Sequence, residues 1–122
     1  MRHNIKAVDF IITPAIKNYI EKRISHLDKF INLNQKELYM CYIEIGKTTN
    51  HHKKGDFFKA EFTIHIGKIS LRAESQKEDL YSALDKVTEE MSEELKMFKN
   101  KKVSLIKKGG VRLKSLIKEN KK

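Results

Sequence analysis

Residues 59–87 read KAEFTIHIGKISLRAESQKEDLYSALDKV, and the fold turns on how this stretch divides. Ala60, Phe62, Ile64 and Ile66, with Phe58 before them, alternate with Lys59, Glu61, Thr63 and His65. That is the period of a half-buried strand. Gly67-Lys68 suits a tight turn. Ile69, Leu71 and Ala73 then alternate with Ser70, Arg72 and Glu74, so the two segments predict a hairpin with one dry and one wet face. After them the spacing becomes helical, through Leu80, Leu84, Val87, Met91, Leu95 and Phe98. Ser75, with Glu78 three residues on, has the form of a capping box and predicts a helix start near residue 75. The helix would then hold about 24 residues and span roughly 36 Å.

Upstream, RHNIKAV (2–8) reads as a first strand. Thr13 can cap a helix whose first turn takes Pro14. Ile16, Ile20, Ile24, Leu27 and Ile31 give that helix one apolar face. NLNQKE (32–37) reads as a loop, LYMCYIEIG (38–46) as a strand, and KTTNHHKKGD (47–56) as a polar, basic loop. Downstream, Gly109-Gly110 interrupts any helix, and the apolar residues after 100 are too few for a second core. The expected organisation is one domain over residues 1–100 and a mostly disordered basic tail over 101–122. Its order, β-α-β-β-β-α, makes it an α+β fold, with two helices packed on one face of a four-stranded sheet. The other face is left to water, and no aromatic platform for single-stranded bases is expected on it.

Among 122 residues, 26 Lys and Arg face 16 Asp and Glu, a net charge of +10. Residues 1–75 carry 13 positive and 8 negative groups, residues 76–100 carry 4 and 7, and residues 101–122 carry 9 and 1. Such a surplus suits a polyanionic partner, above all nucleic acid. Lys22, His26 and Lys29 share a stripe on the first helix. With Lys53 and Lys54 of the basic loop and the run Lys96, Lys99, Lys101 and Lys102, they can meet one polyanion. Each phosphate contact adds affinity that salt removes, roughly 0.9 log units per contact for each tenfold rise in salt on duplex DNA.

Chemistry-bearing motifs are scarce. The chain holds no Gly-rich phosphate loop, and adjacent His51 and His52 beside two lysines make a poor zinc site. No cofactor and no metal are expected. The single cysteine, Cys41, lies in an apolar run and reads as a small buried hydrophobe; one unpaired thiol fits a reducing compartment. No signal-like or membrane-spanning apolar run is present, so a cytoplasmic protein without a membrane partner is expected. Glu89, Glu90, Glu93 and Glu94 fit the solvated face of a helix, or, as an alternative, a carboxylate site in a metal-dependent RNA-processing enzyme. The other alternative is a general double-stranded RNA-binding module, against which the first strand argues.

ITPAIKNYIEKRISHLDKF (12–30), KAEFTIHIGKISLRAES (59–75) and above all EDLYSALD (78–85) appear in the order found in the ribosome hibernation promoting factor and ribosome-associated inhibitor A family. The chain resembles that family over about residues 1–102. The resemblance implies no enzyme. It implies a stress-response protein that binds the 30S subunit of the 70S ribosome in the channel for mRNA and for A- and P-site tRNA, and so blocks translation. It further implies contacts with 16S rRNA phosphates, here by Lys22, Lys29, Lys86, Lys99 and Lys101. The chain departs from the family in carrying Glu90 and Glu93 where Lys and Arg usually face the RNA. Residues 101–122 are too few for the dimerisation domain of the long members. The resemblance is therefore to the short type, which holds single ribosomes idle or needs a further small factor to pair them.

Overall fold

A computed structural model describes residues 1–49 and 56–109. It contains β1 (Arg2–Val8), α1 (Pro14–Leu27), β2 (Tyr39–Thr49), β3 (Asp56–Ile66), β4 (Ile69–Lys77) and α2 (Leu80–Gly109). The four strands form one sheet in the order β1-β2-β3-β4. β1 runs parallel to β2 because α1 carries the chain back across the sheet. The other two pairings are antiparallel. This is the expected β-α-β-β-β-α architecture.

Local chemistry sets most boundaries. Thr13 Oγ1 accepts from the Ile16 amide at 3.2 Å, capping α1 just before Pro14. Gly67 has φ +63° and Lys68 does not share that region, which is the type II′ turn that closes β3 onto β4. Asp9, at φ 64°, turns the chain out of β1, a conformation that Asp tolerates better than most residues.

Several expected boundaries are corrected: residues 33–38, read as loop up to residue 37, form a 3-10 turn, β2 extends to Thr49, and both ends of α2 move. Ser75 does not cap α2; it lies within β4, on the dry face and buried. Asp79 caps instead: its carboxylate accepts from the Ser82 amide at 2.9 Å and its carbonyl from the Ala83 amide at 3.0 Å. α2 also runs beyond Phe98 to Gly109. Residues 99–108 hold neither Gly nor Pro and several good helix formers, so nothing local stops the helix earlier. Of the tail expected over 101–122, residues 101–109 are thus helical in backbone, and residues 110–122 lie outside the described residues.

Both helices cover one sheet face. The core is built from Ile20, Ile24 and Leu27 of α1, Cys41, Ile43 and Ile45 of β2, Phe62 and Ile64 of β3, and Leu84, Val87, Met91 and Leu95 of α2. Thr88 and Ser92 are buried beside them; their hydroxyls donate to the carbonyls of Leu84 and Glu89, which removes the cost of burying them unpaired. The Met1 amine pairs with Asp28 at 3.0 Å, tying the start of β1 to the end of α1.

Cys41 is fully buried, and burial pushes its thiol from 9.0 up to about 12. Ellman's reagent at pH 8 is therefore expected to leave the native protein unmodified while labelling the urea-unfolded chain fully; rapid labelling of the native form would contradict this burial. Because the unfolded thiol ionises first, the unfolded state binds fewer protons in alkali, and this contribution to stability declines as pH rises from 9.0 towards 12.

Candidate nucleic-acid interface

α1 and α2 lie side by side and run in the same direction, since Tyr19 meets Tyr81 and Phe30 meets Lys96. A polar clasp joins them. The Tyr19 hydroxyl donates to the Asp85 carboxylate, which raises the tyrosine pKa above its ordinary value and keeps the phenol a donor. The Arg23 guanidinium lies 5.1 Å over the Tyr19 ring and 3.5 Å from the same carboxylate. Tyr81 meets Tyr19 edge-on with ring centroids 4.7 Å apart. EDLYSALD therefore divides its labour: Asp79 caps, Leu80, Ala83 and Leu84 enter the core, and Tyr81 and Asp85 lock α1 at a fixed distance. Sequence reasoning missed this clasp; its signal, an aromatic and a carboxylate four residues apart beside the core stripe, needs the facing helix to be recognised.

The clasp fixes where the expected cations stand. Lys22 is exposed on the outer side of α1, and Lys29 is exposed in the 3-10 turn Asp28–Phe30 that follows it. Neither forms an ion pair among the described residues. Lys96 reaches over the ring of Phe30, the residue after Lys29, at 5.2 Å, and it pairs with Glu93 at 3.4 Å. Lys99 and Lys101 are exposed on the next turns of α2. Lys86 stands apart: it pairs with Glu89 at 3.9 Å and, with Arg72, Glu90 and Glu94, lines a groove between α2 and β4. Lys22, Lys29, Lys96 and Lys99 thus share the helix-layer surface, whereas Lys86 belongs to an acidic flank. The side chain of Lys102, and His51, His52, Lys53 and Lys54, lie outside the described residues.

The acidic flank follows from the period of α2. Glu90 and Glu94 sit one turn apart and point towards β4, and Glu93 is engaged by Lys96. Among the described residues, no group of three or more His, Cys, Asp and Glu side chains is placed to hold a metal ion. No described helix is long and apolar enough to cross a membrane.

The uncovered sheet face differs from expectation. Lys6, Glu44, Glu61 and Glu74 align across the four strands, and Arg72 and Lys59 bridge Glu61 and Glu74 at 2.8–3.8 Å. Beyond this ladder lies Tyr42, 44% exposed, its ring edge-on to His65 at 5.3 Å. The wet face therefore does carry an aromatic. The apolar run 38–46 concealed it, because Tyr42 alternates with Cys41 and Ile43, which point the other way.

The chain is 28% identical over 101 residues to the ribosome hibernation promotion factor of Lactococcus lactis subsp. cremoris, covering 83% of this chain and 51% of that protein. It is 27% identical over 101 residues to that of Staphylococcus aureus, covering 83% and 50%. It thus spans about half the length of these curated relatives. Among solved structures, the N-terminal domain of Thermus thermophilus Protein Y superposes with a TM-score of 0.66 at 22% identity, covering 80% of this chain and 99% of that one. A ribosomal subunit interface protein from Coxiella burnetii gives 0.61 at 16% identity, covering 82% and 99%. These two likenesses establish the fold. Residues 3–103 match the family described as Sigma 54 modulation protein / S30EA ribosomal protein, and the chain belongs to it.

Proposed function

We propose that this protein is a ribosome hibernation factor of the cytoplasm. It binds the 30S subunit in the channel shared by mRNA and the A- and P-site tRNAs, and silences translation under stress by occupying that space. The observation that carries the reading is the set of exposed lysines on the helix layer, Lys22, Lys29, Lys96 and Lys99, held in fixed relation by the Tyr19–Arg23–Asp85 clasp. A rigid body with cations on one side suits 16S rRNA phosphates better than it suits base reading. Names of the relatives support the ribosomal part. Glu90 and Glu94 are compatible with it because they turn towards β4, and Glu93 because Lys96 offsets it. Nothing in this role requires catalysis.

The test is co-sedimentation of the purified protein with vacant 30S subunits in low salt, repeated on subunits preloaded with mRNA and P-site tRNA. The protein is expected to pellet with vacant subunits and to stay in the supernatant with loaded ones. No pelleting with vacant subunits would overturn ribosome binding, and equal pelleting with loaded subunits would overturn the channel as its location.

A further inference from the structure

We infer that the uncovered face of the sheet is a second nucleic-acid contact, on which Tyr42 stacks an unpaired base of single-stranded RNA. This face lies opposite the helix layer, so it can be engaged while Lys22 and Lys29 hold a different partner.

Three features carry the inference. Tyr42 is exposed on β2, an interior strand, and its ring and that of His65 meet perpendicularly, interplanar angle 76°, so that His65 is not stacked flat over the tyrosine. Ser70 Oγ lies 2.8 Å from His65 Nδ1 and fixes the imidazole, so the aromatic pair is held before any ligand arrives. The charge around it is also sorted. Register places Arg2, Met40, His65 and Ser70 in one row across the sheet, with Asn4, Tyr42, Thr63 and Arg72 in the next, and neither row holds a carboxylate. The carboxylates of this face stand one row further along, bridged by Arg72 and Lys59. Arg2 and Lys36 line a depression contiguous with Met40, where Glu37 is the acidic neighbour and its carbonyl accepts from Arg2. Lys68 stands exposed at the β3–β4 turn. Lys36 and Lys68 form no ion pair among the described residues. An exposed ring on a face with cations at the same end of the sheet, Arg2, Lys36 and Lys68, is the chemistry of sequence-tolerant single-strand binding, in which a base stacks and phosphates meet basic side chains.

The experiment measures fluorescence anisotropy of labelled 12-nucleotide oligo(U) and oligo(A) RNA, and of a 12-base-pair RNA duplex, with the full chain. Wild type is expected to bind the single strands. Tyr42→Ala should weaken that binding about five-fold or more, Tyr42→Phe should retain it, and duplex binding should not respond to Tyr42. Unchanged single-strand affinity in Tyr42→Ala, absence of single-strand binding by wild type, or equal loss with Tyr42→Phe would overturn the inference. So would a wild-type dimer in sedimentation velocity that Tyr42→Ala dissociates without altering RNA binding, which would give the face to a second copy. Failure of 30S binding with Tyr42-dependent RNA binding intact would remove the hibernation reading and leave this one standing.

Discussion

Phe62→Ala is expected to cost about 3–5 kcal/mol of folding stability, a large share of the about 5–15 kcal/mol that holds a domain of this kind folded. Phe62 is fully buried and central to β3, opposite Ile43 on β2 and Ala73 on β4. α2 packs over β3 and β4, so the ring sits between the sheet and the long helix. Its removal leaves a void that strands held on both sides and a helix pinned through Asp85 cannot close. Urea denaturation followed by circular dichroism measures the loss. Phe62→Leu, which preserves most of the volume, should cost far less. A change under about 1 kcal/mol in the alanine variant would mean that the site collapses, and that packing density there is not what holds the layers together.

Lys22→Glu with Lys29→Glu is expected to lower affinity for 30S subunits by about 30-fold or more near 0.1 M salt, because each phosphate contact contributes roughly 0.7–0.9 log units per tenfold change in salt. The slope of log affinity against log salt should flatten by about two contacts, a signature that loss of shape alone would not produce. Thermal melting should hardly move, since both side chains are exposed and without an ion partner among the described residues. Lys86→Glu is the internal comparison: beside Glu89, Glu90 and Glu94 its charge is already offset, and its effect on binding should be smaller. Equal pelleting of the double variant and wild type would remove α1 from the interface.

Much of this architecture is legible in the chain because local chemistry and periodicity agree. Thr13-Pro14 marks the start of α1, Gly67 forces the turn, and the alternation from Phe58 to Ala73 separates dry from wet. Where reading failed, two candidates competed on equal local terms. Ser75 and Asp79 can each cap a helix, and only strand pairing, Phe58 opposite Lys77, consumes the former. The end of α2 is not marked in the sequence, because the apolar period stops where the core stops, although the backbone needs no core to continue. Tyr42 was hidden by apolar neighbours on both sides. The lysines were visible as charges, but their division into a shared surface and an offset flank depends on how α2 is rotated about its axis, which residue types alone do not fix.

The parallel partnership of β1 with β2 bears on how the chain reaches its native state. The hairpins β2–β3 and β3–β4 close neighbouring segments, so their pairing fixes little extra chain, whereas β1 must wait for α1 to form and return before any bond to Tyr39–Thr49 is available. Loop-closure entropy therefore favours nucleation in the meander, with the strand synthesised first docking last. During that interval the open edge of β2, with Cys41, Ile43 and Ile45 uncovered, is where a nascent chain would be most exposed to mispairing with another copy.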